Sequence, residues 1–169
     1  MIDTFRMFAA YNRWANTTLY NAAAAMSEEE RRASTGAFFG SLHATLNHIL
    51  AADRIWQKRF TGAGDAPTQL DAILYDDFAA LRQARAAEDE RIIGWIDSLS
   101  ETDIAGRFTY TPVSSTETVT QKLSGALSHV FNHQTHHRGQ CHMMLTSQGK
   151  PSLALDLVYF IRSDGKEWM

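Results

Sequence analysis

What most limits the fold of this chain is a repeated spacing: in four long stretches the apolar residues return every three or four positions. That is the period of a helix with one buried face, because 3.6 residues per turn bring i, i+3, i+4 and i+7 to the same side. Phe8, Tyr11, Ala15, Leu19, Ala22 and Met26 mark the first stretch, which Asp3 or Thr4 is placed to cap. Leu42, Thr45, Ile49, Ala52, Trp56 and Phe60 mark the second, closed by the turn residues Gly62-Ala63-Gly64-Asp65-Ala66-Pro67. The third carries Leu74, Phe78, Leu81 and Ala84, then Ile92, Trp95, Ile96 and Leu99. Its polar middle, with Arg85, Glu88, Asp89 and Glu90, reads as a solvated face. The fourth runs from Thr120 to about Gln148, with Leu123, Leu127, Val130, His133, His137, Cys141 and Met144 on one stripe, and Gly149 and Pro151 end it.

Four such helices bury their stripes against one another, so the expected fold class is all-α, a four-helix bundle. Ser27-Glu28-Glu29-Glu30 has the form of a capping box and predicts a short helix between the first two long ones. Residues 100–119 break the pattern: Phe108, Tyr110 and the β-branched residues around Pro112 predict an extended excursion or weak hairpin. This long crossover connection before the fourth long helix lets that helix return across the bundle. Ser152 is placed to cap a short C-terminal helix holding Leu153, Leu157 and Phe160, expected to lid one end.

Size and composition narrow the function. A chain of 169 residues fits one domain, 1–169, and 44% hydrophobic with 21% charged residues excludes a disordered chain. Sixteen Lys and Arg against nineteen Asp and Glu leave a net charge of −3, so no nucleic-acid partner is expected. No segment approaches the roughly 18 apolar residues of a membrane span. Met1-Ile2-Asp3-Thr4-Phe5-Arg6 puts an acid where a signal peptide carries bases. The expectation is a cytoplasmic protein without membrane contact. The single cysteine, Cys141, supplies no disulfide within the chain and reads as a small buried hydrophobe.

The histidines carry the chemistry. Five of the seven lie between His129 and His142. His133 and His137 are four apart on the apolar stripe of the fourth helix, where a buried imidazole must find partners. Metal binding meets that need. Spacing alone also allows the pairs 129/133, 137/141 and 133/136. A third ligand has to come from another helix, and His48 stands at the edge of the second helix's buried stripe. His43, five residues earlier, points elsewhere. Three imidazoles leave a position open on a divalent metal, as catalytic sites do. Among the neighbours, Asp53 reads as a surface or ion-pair residue, Arg138 as an ion-pair partner and Gly139 as a point of close helix approach. Trp14, Trp56, Trp95 and Trp168 read as core or interface residues, with Tyr11 or Trp56 the candidates to line a pocket.

The segment His129-Val130-Phe131-Asn132-His133-Gln134-Thr135-His136-His137-Arg138-Gly139-Gln140 resembles the signature of the DinB/YfiT-like family of metalloenzymes. Leu46-Asn47-His48-Ile49-Leu50-Ala51-Ala52-Asp53-Arg54-Ile55-Trp56 resembles the family's earlier histidine-and-aromatic element, and the likeness extends over essentially the whole chain. It implies a four-helix bundle with a long crossover, a divalent metal (zinc, nickel, manganese or iron) on His48, His133 and His137, and dimerisation through exposed helix faces. Members of the wider superfamily include transferases and isomerases that use bacillithiol, mycothiol or glutathione, so the resemblance also implies a low-molecular-weight thiol as cofactor. The leading expectation is a metal-dependent thiol S-transferase acting on an electrophilic small molecule. A metal-dependent hydrolase is the second reading, weakened because His133-Gln134-Thr135-His136-His137 holds no acid. A non-catalytic metal- or ligand-binding bundle of a stress response is the third.

Overall fold

A computed structural model describes residues 1–113 and 115–169. Its elements in chain order are α1 (Ile2–Ala24), α2 (Glu28–Arg32), α3 (Leu42–Thr61), α4 (Phe78–Ser98), α5 (Glu101–Ala105), β1 (Arg107–Tyr110), β2 (Val119–Lys122), α6 (Leu123–Ser147) and α7 (Leu157–Arg162). The four long helices are α1, α3, α4 and α6. α1 packs on α4 and α6, and α3 packs on the same two, so the order around the bundle is α1, α4, α3, α6.

Two apolar clusters fix the helix directions. Phe5 and Ile2 of α1, Ile92 and Ile96 of α4, and Leu123, Leu127 and Phe131 of α6 form one cluster. Leu19 and Ala23 of α1, Leu42, Leu46 and Ile49 of α3, Leu81 of α4, and Met144 and Leu145 of α6 form the other. α1 and α6 therefore run one way, and α3 and α4 the other. The expected crossover before α6 is present, since α4 and α6 stand across the diagonal. A second long connection was not expected. Because α3 and α4 are parallel, residues 62–77 must run back along the bundle, and Leu74 and Tyr75 belong to this return and not to a helix.

Local signals acted mostly as anticipated. Gly62 ends α3 in the left-handed conformation, φ 70°, which a Cβ disfavours. Ser27 and Glu30 form the capping box of α2. Residues 107–110 pair antiparallel with 119–122, so the hairpin takes the first turn expected of the fourth helix, which starts at Leu123. α1 starts at Ile2 without a side-chain cap, so neither Asp3 nor Thr4 caps it. Ser100 and Asp103 form the capping box of the short α5, so the stretch expected to be extended from residue 100 begins with a helical turn. Asp156, not Ser152, precedes α7, and Ser152 instead lies 3.0 Å from the His142 ring nitrogen. Phe160 of α7 packs on Tyr11 and Trp14 at the middle of α1, so α7 covers a side of the bundle, not its end.

Between the two apolar clusters lies a belt of buried polar residues. Arg85 is 2% exposed and bridges Asp53 at 2.7 Å and Asp89 at 2.9 Å. Asn16 and Asn12 donate to the same Asp89 oxygen at 2.9 and 3.2 Å. Arg138, also buried, donates to the side-chain oxygen of Asn12 and covers the Tyr11 ring. Glu88 is buried beside Arg54 and Arg91. The reading of the α4 middle as a solvated face holds only for Glu90, which is exposed and pairs with Arg13. Arg85, Glu88 and Asp89 point inward because α1 and α3 bring them complementary charge and amide groups. Asp53 is likewise an interior ion-pair residue, and Arg138 is met by amides and an aromatic ring in place of the expected acid. A Cβ at Gly139 would meet nothing within 4 Å, so that glycine serves no close approach.

Candidate metal centre

The side chains that matter come from two antiparallel neighbours. α3 presents His48, and α6 presents His133 and His137 one turn apart on the face turned toward α3. Their Nε2 atoms converge: His48 to His137 is 3.1 Å, His48 to His133 is 3.3 Å, and His133 to His137 is 3.1 Å. The structure thus brings together one of the four pairings the spacing allowed, with the α3 histidine placed at the edge of its stripe.

The outer ring nitrogens explain the orientation. His48 Nδ1 lies 2.7 Å from the Leu70 carbonyl, which can only accept, so the proton sits on Nδ1 and the Nε2 lone pair faces inward. His137 Nδ1 is 2.7 Å from Gln140 Oε1 and is set the same way. Such partners fix tautomer and ring angle where imidazoles serve as ligands. Leu70 belongs to the return segment of residues 62–77, so the unexpected connection supplies one of the site's fixed contacts. Phe39 stacks on the His48 ring with centroids 3.9 Å apart, and closes the site from the loop before α3.

Burial keeps the cluster neutral. His48 and His137 are buried and His133 is half-buried. Burial, reinforced by the neighbouring imidazoles, pushes His133 down to about 3, and burial also lowers His48 and His137. His48 and His137 therefore aim their Nε2 lone pairs at one point, and the Nε2 of His133 lies within 3.1–3.3 Å of both. The spacing fits a cation: four ligands at about 2.05 Å in a tetrahedron stand about 3.3 Å apart. This set could hold a metal through three nitrogens.

The other histidines have different tasks. His43 is held by the Tyr75 carbonyl at 3.0 Å and by Asn47, facing away as expected. His136 bonds Gln140, and His142 accepts from the Leu153 backbone. His129 is exposed, with its ring 5.2 Å from Trp56 and 5.9 Å from His133. Cys141 is fully buried, and burial pushes its thiol far up, in line with an inert core residue.

A cavity of about 310 Å³ opens on His48 and His133, walled by Trp56, Tyr110, Pro112 and His129. Trp56 is thus the aromatic at the site, whereas Tyr11 lines a different cavity beyond α6. Sequence reasoning missed Tyr110, Leu70, Gln140 and Phe39 as parts of the site. The Phe38-Phe39 pair between Gly36 and Gly40 was the available signal for Phe39; a backbone carbonyl such as that of Leu70 leaves none. No helix among the described residues is long and apolar enough to cross a membrane.

Comparison with known proteins agrees with this architecture. The chain is 26% identical over 153 residues to Protein DinB of Bacillus subtilis (strain 168), covering 86% of this chain and 87% of that protein. The family model described as the DinB family matches residues 1–168, and with a match of that extent the chain belongs to the DinB family.

Proposed function

We propose that His48, His133 and His137 bind one divalent metal, zinc, nickel, manganese or iron, and that the protein is a metal-dependent transferase joining a low-molecular-weight thiol to an electrophilic small molecule. The observation that carries the metal reading is the convergence of three neutral Nε2 atoms at 3.1–3.3 Å, two of them with their outer nitrogens tied to an acceptor. A bound divalent ion supplies a Lewis acid that holds a thiol as thiolate near neutral pH. The chain itself sets the imidazoles through Leu70 and Gln140, and narrows water access with Phe39. Trp56 and Tyr110 wall the space in which an electrophile would meet the thiolate.

The absence of a base supports transfer over hydrolysis. Among the described residues no carboxylate lines the cavity, and Asp53, the one acid near His48 in sequence, is committed to Arg85. A metal-activated thiol needs no protein base to become a nucleophile, whereas hydrolases of the HExxH kind use one.

Two measurements test this. Metal analysis of freshly isolated protein should give about one equivalent in wild type and a small fraction of that in His137→Ala. Metal-loaded protein incubated with glutathione, bacillithiol or mycothiol and a panel of electrophiles should consume thiol, and His48→Ala should not. Full metal occupancy with no thiol consumption or thiol binding would discard the transferase and leave a metal-binding bundle.

A further inference from the structure

On α3, His48, Ala52, Ile55 and Arg59 follow one another at steps of four, three and four, so they share one face and floor the cavity that opens on the triad. At 1.5 Å per residue, the Arg59 backbone lies roughly 16 Å along the helix from that of His48. Its guanidinium sits against two rings, 4.6 Å from the Trp56 centroid and 4.8 Å from that of Tyr110. Burial lowers its pKa, and no carboxylate counters that effect. The other arginines of α3 and α4 that face inward all have acids: Arg85 has Asp53 and Asp89, while Arg54 and Arg91 share Glu88.

Arg59 has neither an ion pair nor a hydrogen bond among the described residues. It also lines a second cavity, of about 420 Å³, which shares Ile55 and Val113 with the first and adds Lys58. No Asp or Glu lines either space among the described residues. A partly buried guanidinium held against two aromatic faces is already ordered, so it gives up little freedom on accepting a carboxylate on its paired N–H groups.

We infer that Arg59 recognises the carboxylate of a small organic acid whose flat apolar body lies over Ala52, Ile55 and Trp56, with its far end at the histidine triad. This rests on the triad being the reactive end, but the carboxylate contact itself needs no metal. Ala52 leaves the room for the ligand body, and the Trp56 and Tyr110 rings that hold the guanidinium also favour a planar group. The carboxylate belongs either to the electrophile or to a carboxylate-bearing thiol such as glutathione.

The test compares phenylacetate, 3-phenylpropionate and 4-phenylbutyrate with their primary amides by calorimetry, on protein stripped of metal by a chelator and on zinc-loaded protein. Glutathione and its diethyl ester run alongside. At least one carboxylate should bind tenfold or more tightly than its neutral partner to the stripped protein. Arg59→Gln should abolish that preference while the protein still unfolds in one cooperative transition, and Arg59→Lys should keep part of it. A preference confined to the phenylalkanoates assigns the carboxylate to the electrophile; one confined to glutathione assigns it to the thiol. Either result supports the role of Arg59. Equal or undetectable binding of acid and neutral partner in the stripped wild type overturns it, as does a preference that survives in Arg59→Gln. A preference seen only with zinc and indifferent to Arg59 places the carboxylate on the metal, which overturns this inference while leaving the metal reading intact. Failure to take up zinc rejects the metal reading and leaves the Arg59 comparison on stripped protein unaffected.

Discussion

Replacing Arg85 by Met is the sharpest probe of the buried belt that holds the two halves of the bundle together. Met keeps the apolar stem and removes the guanidinium, which is 2% exposed and holds Asp53 at 2.7 Å and Asp89 at 2.9 Å. The two acids are not left equally exposed by this change. Asp89 retains the Asn16 and Asn12 amides, whereas Asp53 loses its ion-pair partner. Stranding one buried charge costs about 3–5 kcal/mol, and since this arginine serves two acids the upper part of that range applies. At about 2–4 °C per kcal/mol for a domain of this size, the melting temperature should fall by roughly 8–20 °C at pH 7. The pH dependence of the loss has a definite sign. Burial raises Asp89 and Arg85 holds it down, so without Arg85 it rises further above the unfolded value of about 3.9 and the folded state takes up a proton more readily as pH falls. The penalty should therefore shrink between pH 7 and pH 5. Adding Asp53→Asn should recover part of it. The assay is thermal unfolding followed by circular dichroism for wild type, Arg85→Met and the double variant. A fall of less than about 3 °C, or a double variant less stable than Arg85→Met, would refute the claim that this pair is a buried, mutually dependent unit.

Zinc at a hundredfold excess over its dissociation constant should stabilise the wild type by about 2.7 kcal/mol, and the shift in melting temperature should vanish in His137→Ala. In stripped protein, His133, pushed down to about 3, stays neutral in the fold while the unfolded chain takes up protons below about 6.5. Stability from this group is therefore complete above about pH 6.5 and is lost as pH falls toward 3; denaturant titrations at pH 7 and pH 5 should show a smaller drop for His133→Gln than for wild type. Cys141 should react with a thiol reagent only after unfolding, because it has no exposed surface and burial disfavours its thiolate; rapid labelling of the native protein would contradict the packing of α6.

The parts of this protein legible in its sequence are those fixed by neighbours a few residues away. The four long helices follow from spacing, the α2 cap from Ser27 and Glu30, the stop at Gly62 from a conformation that glycine tolerates. His133 and His137 on one face follow from a separation of four on a helix. Family resemblance supplied the choice of pair, which spacing alone left open, and agreed with His48, which its place on the second helix's stripe already singles out. The polar middle of α4 was illegible for a specific reason: Arg85 and Asp89 look solvated until Asp53 and Asn16, 32 and 73 residues distant in the chain, are placed against them.

The sequence by itself determines which faces are apolar and where helices start and stop, because hydrogen-bonded turns and caps are short-range. Tertiary structure alone decided that α3 and α4 run parallel, that the return of residues 62–77 brings the Leu70 carbonyl to His48, and that Arg59 faces the triad's cavity without an acid beside it. Those outcomes depend on which distant groups meet in the interior. Burial then makes an imidazole neutral or a carboxylate dependent on one arginine, since the cost of desolvating a polar group is set by the partners the fold brings to it.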